Sequence, residues 1–359
     1  MRYSNLDISY ESILKRMKEE LSNPPNRIEG SFAMDNIQSV GKELENAYGY
    51  INWLSEMHFL DTAEGIFLDS KAGEYGIERK LGQKSTGFVW IYGSVGKELP
   101  SGTRFTSDSG LEFTLSNKAV IEEDGRVTGA IIASETGSNY NLPEGALLYP
   151  DKTLGGVDKV IVKNNLLNGY EIENDELLRE RTYFKIRYPA TSGNKYHYMQ
   201  WAMGITGVGR VKVYPLWQGP GTVKISLIDS NYEKASTDLL ETVKNAIDPL
   251  GATGDALAPI GATLTVVTAD EVFFNVLIDF NSEDDYSKDE VLMDVEKNIN
   301  AYFRDASYRE TLISYAKIID LIWNTDGVEK VIDVTVNTKK DNVFLQDEEI
   351  PVLSSIGVM

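Results

Sequence analysis

Apolar side chains near the N-terminus recur at helical spacing between charged residues. This spacing predicts a short amphipathic helix, which the "NPP" at 23–25 ends. The apolar members of the first helix are Tyr10, Ile13, Leu14, Met17 and Leu21.

A second apolar run, from 33 to 58, repeats in alternating steps of four and three residues, the 3.5-residue period of a heptad seam. Such a seam packs against facing helices, because its side chains need holes to fill. The facing helix belongs either to another chain or to an intramolecular helical hairpin. Gly41 and Gly49 weaken the helix by ~1 kcal/mol each relative to Ala. The predicted bundle interface consists of Ala33, Ile37, Val40, Leu44, Ala47, Ile51, Leu54 and His58.

The pattern changes after a further short helix within 64–80, which ends near Gly76. From 86 to 165, short alternating runs separated by turn residues predict a β-rich domain. Two turns repeat there, "LPSGT" at 99–103 and "LPEGA" at 142–146. We expect type I turns, in which Pro fixes φ and Gly forms the exit. Their corner residues are Pro100, Gly102, Pro143 and Gly145.

The C-terminal half contains a weak internal repeat with an offset of 120 residues. Each copy has a charged helix, an apolar-faced helix, a short corner with Gly-Val, and a strand. The corners are Gly207-Val208 and Gly327-Val328. Gly is expected there at the left-handed position directly after a helix.

These patterns predict an α+β multidomain protein. Its parts are an N-terminal helical arm at 1–85, a central β-rich domain at 86–165, and two α+β modules of related helix-helix-strand plan. The two modules occupy 166–268 and 269–359.

Composition narrows the possible partners of this 359-residue chain. Its formal charge of -20 argues against nucleic acid, because phosphate binding depends on clustered Lys and Arg. The absence of cysteine excludes disulfides, thiolate metal sites and cysteine nucleophiles. Neither a signal peptide nor an apolar stretch of membrane-spanning length is evident. We therefore expect synthesis in the cytoplasm and no membrane insertion.

The glycine-rich stretch "GITGVGRVKVYP" at 204–215 resembles a nucleotide loop only superficially. A dinucleotide loop runs from a strand through G-x-G-x-x-G into a helix, whereas here a helix precedes the glycines and a strand follows. "GSVGKE" at 93–98 lacks the spacing of a P-loop, and "QGPGTVK" at 218–224 is typical of a tight turn between strands.

Other candidate chemistry is equally weak, and we predict no catalytic residue, metal or cofactor. The two histidines, His58 and His197, have no companion metal ligand at helical spacing. The acidic run at 281–290 lacks the Gly and Glu of a calcium loop if Asp284 or Asp285 leads it. A G-x-S-x-G elbow is absent. Paired carboxylates for glycoside hydrolysis stay open, because their separation depends on the tertiary structure.

The stretch from "LNGYEIENDELLRERTYF" to "GTVKISLID", 167–229, closely resembles the baseplate J-like family of contractile phage tails and phage-tail-like bacteriocins. "FLDSKAGEYGIERKLGQKSTGFV", "LPSGTRFTSDSGLEFTL" and "IDLIWNTDGVEKVIDVTVN" resemble the same family. Tyr170 and Glu171 depart from its usual pattern, where a small residue and Asp stand.

The resemblance implies a structural protein of a tail baseplate. Two copies with one copy of another baseplate wedge protein would form a wedge, the N-terminal helices would enter a three-helix bundle, and neighbouring wedges would join in a sixfold ring around the hub. Sheath-initiating and fibre-attachment proteins are further candidate partners. The ring would widen and release the sheath when fibres engage a cell.

Two alternatives compete with the scaffold. A tail-associated glycan hydrolase would need a cleft with one carboxyl of raised pKa. A receptor-binding module would use the β-rich domain.

Overall fold

The computed structural model describes residues 7–22, 28–150, 154–249, 257–283 and 285–359. The "NPP" segment and Asp284 therefore lie outside the described residues. The chain divides into two compact units, Met1–Arg79 with Asn174–Tyr183, and Lys80–Glu173 with Phe184–Met359.

The first unit is helical. Serine hydroxyls cap the first two helices: Ser9 accepts from the amide of Ser12, and Ser31 accepts from that of Met34. Its helices are α1 (Tyr10–Glu20), α2 (Phe32–Met57), α3 (Gly65–Glu74) and the first part of α4 (Asp175–Arg187).

Helix α1 packs on α2, so an intramolecular hairpin is present in the arm. The close approach is at Gly41, where a Cβ atom would lie 3.5 Å from the ring of Tyr10. Met34 and Gly41 are buried on this face, and Ile13 is buried on α1.

The second unit begins with a barrel. Alternate residues of its strands are buried, as expected for a closed sheet with a filled interior. Six strands close it in the order β1-β6-β4-β3-β7-β8, all antiparallel, and β2 pairs with β5 separately. The strands are β1 (Lys84–Gly93), β2 (Glu98–Leu99), β3 (Arg104–Ser107), β4 (Glu112–Leu115), β5 (Ala119–Val120), β6 (Arg126–Thr136), β7 (Leu147–Pro150) and β8 (Val157–Val162).

The first α+β module follows the barrel. Its three-stranded sheet has β10 at the centre, antiparallel to β9 and parallel to β11. The elements are α5 (Lys195–Met203), β9 (Val208–Pro215), β10 (Thr222–Asp229), α6 (Thr237–Ile247) and β11 (Thr263–Thr268).

The second α+β module also has a three-stranded sheet, with β12 at the centre, antiparallel to β14 and parallel to β16. The Ser287 hydroxyl and the Glu290 carboxylate form a capping box at the start of α7. The elements are β12 (Asp270–Ser282), α7 (Lys288–Ala306), β13 (Leu312–Ile313), α8 (Tyr315–Trp323), β14 (Val328–Val336), β15 (Val343–Phe344) and β16 (Glu349–Val358).

The two sheets share a pattern but not a chain order. Each central strand has one antiparallel and one parallel neighbour, yet β10 follows its antiparallel edge strand and β12 precedes it. The predicted α+β multidomain class is confirmed.

Candidate assembly surfaces and interior sites

The predicted interface residues all lie on α2 or at its C-cap, His58. Ala33, Ile37 and Leu44 are half-buried, whereas the other five members of the seam are exposed. Ile51 is 58% exposed and Leu54 is 50% exposed.

The exposed part of the seam forms an apolar stripe that the hairpin with α1 leaves uncovered. Tyr50, beside Ile51, is 69% exposed and extends the stripe, although the heptad pattern did not include it. Large apolar side chains that lie exposed on one helix face are typical of an interaction site.

Gly207 and Gly327 adopt φ angles of +88° and +84°, in the left-handed region where Gly costs least. The expected position directly after a helix was wrong for both. α5 ends at Met203 and α8 at Trp323, and each glycine is the third residue of a separate turn. The amides of Val208 and Val328 close these turns on carbonyls three residues earlier, both at 3.2 Å.

Both turns pack against a tyrosine ring. A Cβ atom on Gly207 would lie 2.5 Å from the buried ring of Tyr170, and one on Gly327 would lie 2.5 Å from Tyr286. The carbonyls of the two glycines also accept from the chain just beyond the central strand, from Ser230 at 2.8 Å and from Glu283 at 3.0 Å. The geometry is that of a packed corner between helix and strand.

In the repeated Pro-x-Gly corners of the barrel, each turn begins one residue later than the expected type I turn. Thr103 and Ala146 donate to the carbonyls of Pro100 and Pro143, so each proline is the first residue of its turn. Gly102 and Gly145 are third, with φ of +90° and +84°. A positive φ at this position is the type II requirement, which explains the glycines better than an exit position does.

Lys80, which precedes the barrel in the sequence, binds the backbone around the corner at Gly207. Its ammonium donates to the carbonyls of Met203 at 3.1 Å, Ile205 at 3.4 Å and Val208 at 2.7 Å. The buried Glu173 carboxylate lies 3.8 Å from the same ammonium. Sequence reasoning missed Lys80, because nothing in its local pattern points to a segment more than a hundred residues away.

Arg210 joins the two α+β modules. One nitrogen of its guanidinium donates to the carbonyls of Arg304 at 2.9 Å, Asp305 at 2.8 Å and Ser307 at 2.7 Å. These carbonyls lie at the C-terminal end of α7, where backbone acceptors lack helical partners and the helix dipole favours a cation.

Strands β9 and β10 contribute further charged contacts to the same junction. Lys212 binds the Asp347 carboxylate at 2.8 Å, and the Tyr214 hydroxyl donates to it at 2.6 Å. Lys224 pairs with Glu348 beside it. The Lys212 ammonium and the Tyr214 hydroxyl together hold the pKa of Asp347 below its usual range. We call Arg210, Lys212, Lys224, Asp347 and Glu348 the module clamp.

A polar cavity of about 440 Å³ lies between the barrel and the two modules. Asp229 lines it, and burial, assisted by the nearby Glu233 charge, raises the pKa of Asp229 to about 7. One carboxylate oxygen accepts from the amides of Asn231 and Glu233, both at 2.9 Å. This aspartate therefore organises the loop after β10.

The two histidines and the acidic run at 281–290 show no arrangement that indicates catalysis or metal binding. The centres of the His197 and Trp201 rings lie 3.9 Å apart, and the imidazole Nδ1 accepts from the amide of Gly193. Burial lowers the pKa of His197. His58 packs edge-on against Phe59, and Asp285 is exposed.

Among the described residues, no group of three or more His, Asp or Glu side chains could hold a metal ion. None of the helices in the described ranges is long and apolar enough to cross a membrane.

Comparison with known proteins accounts for most of the second unit. Residues 88–169 match the Baseplate J-like protein barrel domain, 190–268 the Baseplate J-like central domain, and 274–359 the Baseplate J-like protein C-terminal domain.

Relatives extend the similarity across the chain. It is 36% identical to the uncharacterized protein YqbT and 34% identical to the phage-like element PBSX protein XkdT, both of Bacillus subtilis (strain 168), over 98% of each chain. It is 28% identical to baseplate protein gp47 of Escherichia phage Mu, over 51% of each chain.

The fold and these matches define a structural protein of a phage-tail baseplate. The chain belongs to the Baseplate J-like family, and it is a component of the baseplate of a phage tail or phage-tail-like particle.

Proposed function

We propose that the protein is a wedge subunit of this baseplate and has no enzymatic role. Two copies and one copy of a second wedge protein would form a wedge, wedges would close into a sixfold ring around the hub, and the ring would transmit the change that triggers sheath contraction. In this proposal, 1–85 is the assembly arm, 86–165 the barrel domain, and 166–268 and 269–359 the modules that contact neighbouring wedges. Sheath-initiating and fibre-attachment proteins would attach to this ring.

The exposed half of the α2 seam carries the proposal. A helix that has already paired with α1 still presents Ile51 and Leu54 to solvent, so one or two further helices can pack there. A bundle with α2 of a second copy and a helix of the other wedge protein would bury this stripe.

The module clamp supports a mechanical role for the C-terminal half. Arg210 and the ion pairs at Asp347 and Glu348 tie one α+β module to the other. Coupled modules move together when an interface on either one shifts, as rigid-body changes require.

Copy number in assembled particles tests the wedge proposal. Particles from the producing strain would be purified by density-gradient sedimentation and quantified by mass spectrometry against labelled peptides of this chain, sheath and tube. We expect about twelve copies per particle, because two copies per wedge recur in a closed sixfold ring. Retention of the chain in the soluble fraction, or a very different copy number, would overturn the wedge proposal.

A tail-associated glycan hydrolase is the second candidate, and one observation favours it. The cavity at Asp229 provides a carboxyl of raised pKa, with Glu233 also in its lining. The test is release of reducing sugars from bacterial cell walls by the purified chain and by Asp229→Asn. Activity of the purified chain that Asp229→Asn abolishes would favour the hydrolase. If neither protein releases reducing sugars, the hydrolase is rejected and the scaffold proposal remains.

A further inference from the structure

The outer face of the barrel presents a basic and aromatic surface on a strongly acidic chain. Val89 and Ile91 of β1 point into the core and are fully buried, so Phe88, Trp90 and Tyr92 point outward. The strands on either side, β6 and β8, present their own outward residues beside these three rings.

Pairing register arranges these outward residues in three rows. Tyr92 pairs with Lys159 and Arg126, and Trp90 pairs with Ile161 and Thr128. Phe88 pairs with Ala130, and its carbonyl accepts from the amide of Lys163. We call these nine residues the barrel face: Phe88, Trp90, Tyr92, Arg126, Thr128, Ala130, Lys159, Ile161 and Lys163.

The barrel face contains three cations, three aromatic rings and no acid, although the whole chain has 55 acidic and 35 basic residues. Arg126 pairs with Asp124 in the adjoining turn at 2.9 Å. Within the described residues, neither Lys159 nor Lys163 forms an ion pair. Two positive charges of this surface are therefore not neutralised within the described part of the chain.

Two cations converge on one indole. The Arg126 guanidinium, from β6, lies 4.6 Å from the centre of the Trp90 ring, and the ammonium of Lys163, the residue directly after β8, lies 4.3 Å from it. Cation–π contact with the same indole holds both groups in place on this surface. Lys163 has no carboxylate partner among the described residues, so a carboxylate from outside could pair with it, and Phe88, which is 53% exposed, offers an apolar contact on the same surface.

We propose that the barrel face is a docking surface for an acidic segment of a neighbouring protein subunit. The segment would bring carboxylates to Lys159 and Lys163 and an apolar side chain to Phe88. Aromatic rings with a charged rim are typical of protein interfaces, and complementary charge sets the orientation of the partner. The barrel face is a second assembly surface, separate in the sequence from the α2 seam on which the proposed function depends.

Amine labelling in assembled particles is the first test. The free chain and purified particles would be acetylated under the same conditions, and modification of Lys159 and Lys163 compared by mass spectrometry. Lys118, an exposed barrel lysine that pairs with Glu98, is the matched control. We expect several-fold protection of Lys159 and Lys163 in the particle and little change at Lys118. Equal labelling of the two lysines in both samples would overturn the proposal.

Zero-length cross-linking identifies the chemistry of the partner. A carbodiimide joins an amine to a carboxylate in direct contact, so cross-links from Lys159 or Lys163 to an Asp or Glu of another polypeptide are expected. Protection without such cross-links, or protection that nuclease treatment removes, would overturn an acidic protein partner.

Charge reversal provides a second, independent readout. Lys159→Glu with Lys163→Glu is expected to reduce incorporation into particles several-fold, while Lys118→Glu incorporates normally. Thermal unfolding of the purified variants checks the fold. Normal incorporation of the double variant would contradict the docking role. Absence of even the wild-type chain from particles would instead be a failure of the proposed function.

Discussion

At the residue scale, the two corner glycines differ in what surrounds them. Gly207→Ala is expected to destabilise the first α+β module by ~3 kcal/mol, because an Ala at positive φ is strained and its methyl would overlap a fully packed ring. Gly327→Ala should cost somewhat less, ~2 kcal/mol. Tyr286 is 41% exposed and can move aside, but the methyl would also lie 2.9 Å from the side chain of the buried Val291. Hydrogen exchange of the strand after each corner measures both effects.

Gly102→Ala is the control for these two substitutions. Gly102 has a positive φ of +90°, but no atom lies within 4 Å of the place that a methyl group would occupy, so only the backbone strain remains. Equal losses for all three variants would show that ring contact contributes nothing.

The sequence predicted these corner positions but not what they contact. A Gly-Val pair after an apolar helix is visible in the pattern, whereas the ring of Tyr170 comes from the segment after the barrel. Local spacing also identified the left-handed glycines but placed them directly after their helices. Each helix ends four residues before its glycine, and the glycine belongs to a separate hydrogen-bonded turn.

Asp229 predicts a pH dependence whose sign is opposite to that of a salt-bridged aspartate. Its folded pKa of about 7 lies above its ordinary value of 3.8, so the folded state holds the proton more tightly than the unfolded state. Stability from this group is present below about pH 4 and is lost as the pH rises towards 7, by at most ~4 kcal/mol.

Asp229→Asn should remove this dependence while its amide oxygen still accepts from Asn231 and Glu233. The stability of the variant relative to the wild type is therefore expected to rise between pH 4 and pH 7 and to level off above that range. Hydrogen exchange of β10 at several pH values measures it, and a constant difference would refute the raised pKa.

At the element scale, α2 has two faces that should respond differently to truncation. Met34→Ala is expected to destabilise the α1–α2 hairpin by ~2–4 kcal/mol, because Met34 is 1% exposed and its loss leaves a cavity. Leu54→Ala should change the stability of the isolated chain by less than ~0.5 kcal/mol, as surface substitutions do. Loss of helical circular dichroism on heating measures both.

Substitutions on the exposed face of α2, which change the stability of the isolated chain little, should instead have a large effect on incorporation into particles. Ile51→Asp with Leu54→Asp leaves the arm folded but places charges in the proposed bundle, so the chain should be missing from purified particles. Normal incorporation of this double variant would mean that the exposed stripe has no partner in the baseplate.

The heptad pattern of α2 predicted the apolar stripe but not which side α1 would cover. A period of 3.5 residues describes one seam, while the small residue Gly41 allows close approach on a neighbouring face. Strand patterns in the barrel likewise predicted a β-rich domain without its closure, because pairing partners such as β1 and β8 are far apart in the sequence.

At the scale of the whole molecule, cations reaching across long sequence separations hold the second unit together. Lys80 and Arg210 look like ordinary surface charges in the sequence, and each binds backbone carbonyls about a hundred positions away. Neither residue belongs to a sequence motif that indicates a function. The baseplate function was therefore inferred from the family resemblance.

The module clamp separates into a part that salt should weaken and a part that it should not. Arg210 is only 12% exposed in its side chain and binds three neutral carbonyls at 2.7–2.9 Å, with a longer contact of 3.5 Å to the Asp305 carboxylate. Lys212 instead pairs at 2.8 Å with Asp347, whose side chain is 63% exposed. Arg210→Ala is therefore expected to cost ~2–3 kcal/mol at the C-terminal end of α7, and Lys212→Ala below ~1 kcal/mol.

Hydrogen exchange of residues 304–309 measures this difference, first at low salt and then at high salt. High salt should reduce the effect of Lys212→Ala, because exposed ion pairs are screened, and leave the effect of Arg210→Ala nearly unchanged. If Arg210→Ala were no more harmful than Lys212→Ala, the junction would depend on its exposed ion pairs. The two modules would then separate in high salt, and coupled motion through the clamp would fail as part of the baseplate mechanism.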